Sequence, residues 1–147
     1  MTITRLATLA ALTLLATSAR ADAGADFAEK AAKEKGAVKT ASGLVYRSLV
    51  DGKGPQPTAA ATVKVNYEGT FIDGKVFDSS KKNGGPISFP LRRVIKCWTE
   101  GVQKMRVGGK AQLVCPPSIA YGEAGAGGAI PPNSTLVFEV ELLDIVE

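Results

Sequence analysis

The sequence predicts an α+β domain in which an antiparallel sheet packs on one short helix. Three observations predict it: apolar residues recur at every second position in several segments, one stretch has helical spacing, and the connections are too short for parallel crossovers. Leu44, Tyr46 and Ser48 alternate with Val45, Arg47 and Leu49, and Val63, Val65 and Tyr67 alternate with Lys64, Asn66 and Glu68. Both segments read as half-buried strands, and Gly52 to Thr58 between them (GKGPQPT) has turn chemistry. Asp73-Gly74 sits between Phe71-Ile72 and Val76-Phe77 and marks a hairpin, because Asp-Gly readily supplies the positive φ that a tight turn requires. The helix is read from Val94, Trp98, Val102 and Met105, which share one face between positions 94 and 105. Gly108-Gly109 then turns the chain into a strand from Ala111 to Cys115, Pro116-Pro117 end it, and a loop of Gly, Ala and Pro runs to Asn133. The last strand, within Thr135 to Val146, sets Leu136, Phe138, Val140 and Leu142 opposite Glu139 and Glu141.

The chain has 147 residues, of which 45% are hydrophobic and 22% charged, enough for one folded domain and too few for two separate cores. It divides into three parts. Residues 1–21 contain no acidic residue, carry Arg5 near the start, continue with an apolar run from Leu6 to Thr17, and reach Ala19-Arg20-Ala21. That is the pattern of an export signal cleaved after Ala21, and the run falls short of the roughly 20 residues a membrane-spanning helix needs. An uncleaved anchor and an organelle transit peptide are the other readings of an acid-free, Thr-rich start. Residues 22–41 form a tail or short helix: Ala, Glu and Lys favour helix there, but Phe27 is the only large apolar side chain before Gly36. Residues 42–147 make up the domain itself.

Composition removes several chemistries. The chain has no histidine, which excludes Ser-His-Asp and Cys-His nucleophilic sites and histidine zinc sites, and its two cysteines cannot build a four-thiolate zinc site. The expectation is no metal and no cofactor. Without Arg5 and Arg20, 16 basic residues stand against 14 acidic ones, with no basic run longer than Lys81-Lys82 or Arg92-Arg93, so no nucleic-acid partner is expected.

Other segments leave more than one reading open. The glycine-rich run Ala120 to Pro132 lacks the Lys-Ser or Lys-Thr of a phosphate loop, and Ile130-Pro131-Pro132 blocks a following helix. It is either a plain connection or a loop that folds Tyr121 and Ile130 back over a cleft. Tyr67, Phe77, Phe89, Trp98 and Phe138, taken singly, fit a small aromatic core. Asp78 follows Phe77 among apolar neighbours and is either a site carboxylate or part of an Asp-Ser-Ser strand exit.

Taken together, the segments Val65 to Ser80 (VNYEGTFIDGKVFDSS), Val94 to Val102 (VIKCWTEGV), Met105 to Lys110 (MRVGGK), Ala120-Tyr121-Gly122 and Ile130 to Leu142 (IPPNSTLVFEVEL) resemble the FKBP-type peptidyl-prolyl cis-trans isomerases. The resemblance runs from about Ser42 to the C-terminus with the motifs in order. Ala41 to Tyr46, with the Lys-rich stretch before it, is similar to the bacterial macrophage-infectivity-potentiator branch without the long dimerisation helices of its larger members, which points to a monomer.

The resemblance implies a half-open antiparallel sheet wrapped around the short helix, with an apolar pocket between them. Trp98 would be its floor, Tyr67, Phe77 and Phe138 its walls, Val94 and Ile95 one rim, and Tyr121 and Ile130 the flap. Asp78 would face into the pocket, and the Ile95 N–H and Tyr121 hydroxyl would hold ligand carbonyls; Asp78, Tyr121 and Tyr67 are the candidate catalytic groups. The implied reaction is rotation about Xaa-Pro bonds during protein folding. Its clients would be proline-containing unfolded or nascent exported proteins in the periplasm, or else in a secreted or organelle-lumen setting. Macrolides such as rapamycin would compete for the site. A non-catalytic chaperone or proline-peptide-binding module using the same pocket is the alternative. The sequence departs from the family pattern at Ile87, where a pocket aromatic is usual, at Cys97 in place of the glycine before Trp98, and at Ala129. Cys97 and Cys115, an even count in an exported chain, lie on the helix and on the next strand, and are expected to pair rather than remain as two buried thiols. A bridge 18 residues apart in sequence is worth about 3 kcal/mol by loop entropy.

Overall fold

The computed structural model describes residues 22–146. The predicted export signal, residues 1–21, lies outside the described residues. Seven strands form one antiparallel sheet: β1 (Ala37–Lys39), β2 (Val45–Val50), β3 (Thr62–Phe71), β4 (Val76–Ser79), β5 (Ile87–Pro90), β6 (Lys110–Cys115) and β7 (Leu136–Ile145). Their order is β1-β2-β6-β7-β3-β4, and β5 also pairs with β3. Among the described residues there are two α-helices, α1 over residues 22–32 and α2 at Lys96–Val102. The α+β architecture is therefore the one the alternating and helical patterns predict, with two short strands, β1 and β5, that the patterns did not separate.

The long strands β3 and β7 pair along almost their whole length, from Val63 opposite Ile145 to Phe71 opposite Leu136, and alternation along them divides the molecule. Val63, Val65 and Tyr67 from β3, and Leu136, Phe138, Val140 and Leu142 from β7, are buried toward α2, whereas Glu68 and Glu139 face water. Helix α2 turns Cys97, Trp98 and Val102 into this core. Gly101 permits the close approach: a Cβ there would stand 2.8 Å from Leu113 Cδ2 on β6. This offsets the roughly 1 kcal/mol that a glycine costs inside a helix. The helix is shorter than its apolar face suggested, because Val94 is extended (φ −103°, ψ 173°) after a tight turn at Leu91–Arg93. Val94 is thereby freed to stand at the mouth of the core.

The segment before Ser42 is more than a tail. Residues of α1 pack on the outer face of the sheet, where Ala31 joins Val45 of β2 and Val114 of β6 in a second small core with Phe27, Ala28 and Val137 beside it. Small residues at helical spacing let α1 lie close, and Glu34 pairs with Arg47 at 3.0 Å. β1 adds to the sheet by pairing Val38 with Tyr46. Cys97 and Cys115 are joined by a disulfide with Cα atoms 5.8 Å apart, tying α2 to the end of β6.

Candidate active site

A cleft of about 350 Å³ opens where α2 meets the concave side of β3, β4, β5 and β7. Trp98 is its floor, only 4% exposed, and three rings meet it edge to face: Tyr67 at 5.3 Å, Phe138 at 5.5 Å and Phe89 at 5.6 Å between centroids. Phe77 leans on Phe138 at 5.6 Å and 82°. Each such contact adds roughly 0.5 to 1.5 kcal/mol beyond buried area, so the walls hold one another upright. They can do so because β3 carries Gly69 at the point of crossing, where a Cβ would come within 2.6 Å of Phe77 Cζ and 2.9 Å of Phe138 Cε1.

A register irregularity places the next two residues. Gly69 pairs with Asp78 but Thr70 pairs with Val76, leaving Phe77 as an extra residue on β4. Neighbours on a regular strand point to opposite faces, and a bulge re-aims one of them. Phe77 and Asp78 both line the cleft for that reason. The Asp78 carboxylate is held by three donors: the Tyr67 hydroxyl at 2.7 Å, the Ser79 N–H at 2.9 Å and Asn83 Nδ2 at 3.0 Å. Burial first, and then the bond to Asp78, push the Tyr67 hydroxyl up to about 12 from its ordinary 10.0, so it remains a donor at physiological pH.

The rim is built differently. Val94, Ile95 and Arg93 form one side and Tyr121, 40% exposed, the other. Ile95 stands immediately before α2 and its carbonyl accepts from Trp98 and Thr99; among the described residues no backbone acceptor takes its own N–H. Nor does any hydrogen bond tie down the Tyr121 hydroxyl among the described residues. Two donors thus face one apolar cleft without partners, an arrangement suited to the carbonyls of an extended peptide.

Eight of the ten predicted pocket residues line the cleft: Tyr67, Phe77, Asp78, Val94, Ile95, Trp98, Tyr121 and Phe138. Ile87 and Ile130 do not. Ile87 pairs with Val65 on β5 and packs against the core. The aromatic wall on that side comes from Phe89, two residues along the same strand. Ile130 is buried, and its backbone makes a two-bond bridge with Ala126, so it pins the flap to the body and leaves Tyr121 to face the cleft. The sequence reading did not assign Phe89 or Arg93 to the cleft: Phe89 reads as one more aromatic of a small core, and nothing in the spacing singles out Arg93. Among the described residues no cluster of His, Cys, Asp or Glu could hold a metal. A larger hollow of about 460 Å³ lies on the solvent face of the sheet, where Lys110 pairs with Glu139 at 2.7 Å, Asn66 donates to Glu141 at 3.3 Å, and Glu68 and Lys81 complete the charged lining.

Comparison with known proteins places the chain in a family. The family described as FKBP-type peptidyl-prolyl cis-trans isomerase matches residues 54–143. The chain is 56% identical over 122 residues to the FKBP-type peptidyl-prolyl cis-trans isomerase FkpA of Escherichia coli K12, covering 83% of this chain and 45% of that protein. It is 49% identical over 114 residues to the peptidyl-prolyl cis-trans isomerase Mip of Coxiella burnetii, covering 77% and 50%. The chain thus spans about half the length of the curated relatives it matches. The crystal structure of FkpA from Escherichia coli aligns with a TM-score of 0.87 at 50% identity, over 92% of this chain and 63% of that one. A 1.6 Å structure of a peptidyl-prolyl cis-trans isomerase from Pseudomonas syringae aligns at 0.83 and 39% identity, over 89% and 96%. The chain belongs to the FKBP-type peptidyl-prolyl cis-trans isomerase family.

Proposed function

We propose that this protein catalyses rotation about Xaa-Pro peptide bonds in exported proteins, binding the proline in the aromatic cleft over Trp98. The observation that carries the proposal is the pairing of a rigid aromatic floor with two unpartnered donors at its rim, the Ile95 N–H and the Tyr121 hydroxyl. Uncatalysed rotation meets a barrier of roughly 18 to 20 kcal/mol because twisting breaks amide resonance. The planar amide is more polar than the twisted one, so transfer from water to an aromatic cleft disfavours the ground state more than the transition state. Each 1.36 kcal/mol of that difference gives about tenfold in rate. No proton transfer, metal or cofactor enters this scheme.

The roles follow from position. The pyrrolidine ring sits on Trp98 between Tyr67, Phe77 and Phe138, and the rim donors hold the flanking carbonyls. Asp78, fixed by Tyr67, Ser79 and Asn83, presents a negative field to the twisting bond and keeps the Tyr67 ring in place. Export rests on the character of residues 1–21, which would deliver the domain to the periplasm among newly translocated chains. Rapamycin, as a proline-like macrolide, would occupy the same cleft, and the working unit would be a monomer.

The test is kcat/KM on short Xaa-Pro peptides for the protein and for Asp78→Ala, Trp98→Leu and Tyr121→Phe. The proposal expects a folded Asp78→Ala protein with lowered kcat/KM and larger losses for Trp98→Leu. Unchanged kcat/KM in Asp78→Ala would remove that residue from the mechanism. Absence of turnover in the unaltered protein, with protection of an unfolding client intact, would favour the binding-module reading.

A further inference from the structure

We propose that Arg93 makes this site selective for proline segments carrying an aspartate or glutamate beside the proline; the inference rests on the proposed function of the cleft. Arg93 lines the cleft at its mouth and is exposed. The ion pairs among the described residues are Glu29–Lys39, Glu34–Arg47 and Glu139–Lys110, all away from the cleft, so no carboxylate neutralises Arg93. The one carboxylate lining the cleft, Asp78, already accepts from three donors. Of the two charged residues that line the cleft, Asp78 is the negative one, held by neutral donors, and Arg93 is the positive one, exposed at the rim.

Its neighbours reinforce it. Arg92 and Lys96 are also exposed and belong to none of those ion pairs, so the rim segment from Arg92 to Lys96 carries three cations and no acid. The next acidic residue, Glu100, is engaged by the Ser42 hydroxyl. Arg93 stands two residues before Ile95, whose N–H is the rim donor for a client carbonyl. A client held there passes Arg93 within about two residues of its proline, since an extended chain advances roughly 3.3 Å per residue. A rim charge acts on encounter rate and on partner choice more than on stability, and salt weakens it.

The experiment uses the full chain and peptides in which glutamate, glutamine or lysine is placed in turn at the two positions on either side of a single proline. Affinity is read from quenching of Trp98, the protein's one tryptophan, and turnover from kcat/KM. At one or more positions the glutamate peptide is expected to exceed the lysine peptide by about threefold in both readouts at low salt. The ratio is expected to shrink toward one at about 0.5 M salt, to survive in Arg93→Lys, to fall in Arg93→Ala and to invert in Arg93→Glu. A ratio near one at every position, or one that Arg93→Glu leaves unchanged, overturns the inference. Selective binding without turnover supports Arg93 and contradicts the isomerase reading. Turnover without charge preference does the reverse, and absence of both binding and turnover contradicts both.

Discussion

The floor and the rim of the cleft are built on opposite principles. The floor is Trp98 wedged among Tyr67, Phe89 and Phe138, with Phe77 behind, a disulfide adjacent to the tryptophan and a glycine where the rings cross. The rim is Arg93, Ile95 and Tyr121, carried on a turn, a helix start and a loop, and no hydrogen bond among the described residues uses the Ile95 N–H or the Tyr121 hydroxyl. Buried apolar surface stabilises the fold while it shapes the cleft; exposed donors contribute little to folding and stay available to a ligand. Changes to the floor should therefore cost stability and activity together, and changes to the rim should cost activity alone.

The largest effect should come from Trp98→Ala. Removing a buried tryptophan costs about 3 to 5 kcal/mol, read as a fall in the urea midpoint, and catalysis should be lost with it. Replacing Cys97 and Cys115 by alanine should cost about 3 kcal/mol and lower the unfolding temperature. A smaller loss of about 1 to 3 kcal/mol is expected for Gly69→Ala, because the new methyl must displace Phe77 and Phe138. Retained activity in that variant would show that the two rings need not stand where they do.

Tyr67→Phe separates packing from polarity. It keeps the ring against Trp98 and removes the bond to Asp78, a hydrogen bond to a charged acceptor worth about 1.5 to 3 kcal/mol. The Tyr67 hydroxyl is raised above its unfolded value, so its stabilisation is complete below 10.0 and is lost as pH rises toward about 12. Unfolding at about pH 9 and about pH 11 should show this alkaline loss in the unaltered protein and less of it in Tyr67→Phe. The smallest stability change, within about 0.5 kcal/mol, is expected for Tyr121→Phe, with a clear fall in kcat/KM. A stability loss as large as that of Gly69→Ala would break the distinction between floor and rim.

Much of this was legible in the sequence. The alternation in β3 and β7 assigns Val65, Tyr67, Phe138 and Val140 to the core face, because period two admits no other arrangement once one face is buried. Asp73-Gly74 fixes the hairpin that brings Asp78 back beside Gly69. The bulge that turns both Phe77 and Asp78 into the cleft was not legible, since it depends on the pairing of two strands and not on either alone. Ile87 and Ile130 were assigned to the pocket by their place in family motifs; packing sends one into the core beside Val65 and the other into the flap's anchor. The docking of α1 was hidden because alanines carry little hydrophobic signal yet pack well against Val45 and Val114.

The most direct test of the central claim is isomerisation of an Xaa-Pro peptide by this protein, with and without rapamycin at saturating concentration. If the cleft over Trp98 is the catalytic site, the protein accelerates isomerisation, and the macrolide abolishes that acceleration while altering Trp98 fluorescence. Absence of catalysis by the folded protein, or catalysis that persists while the macrolide fills the cleft, would contradict it.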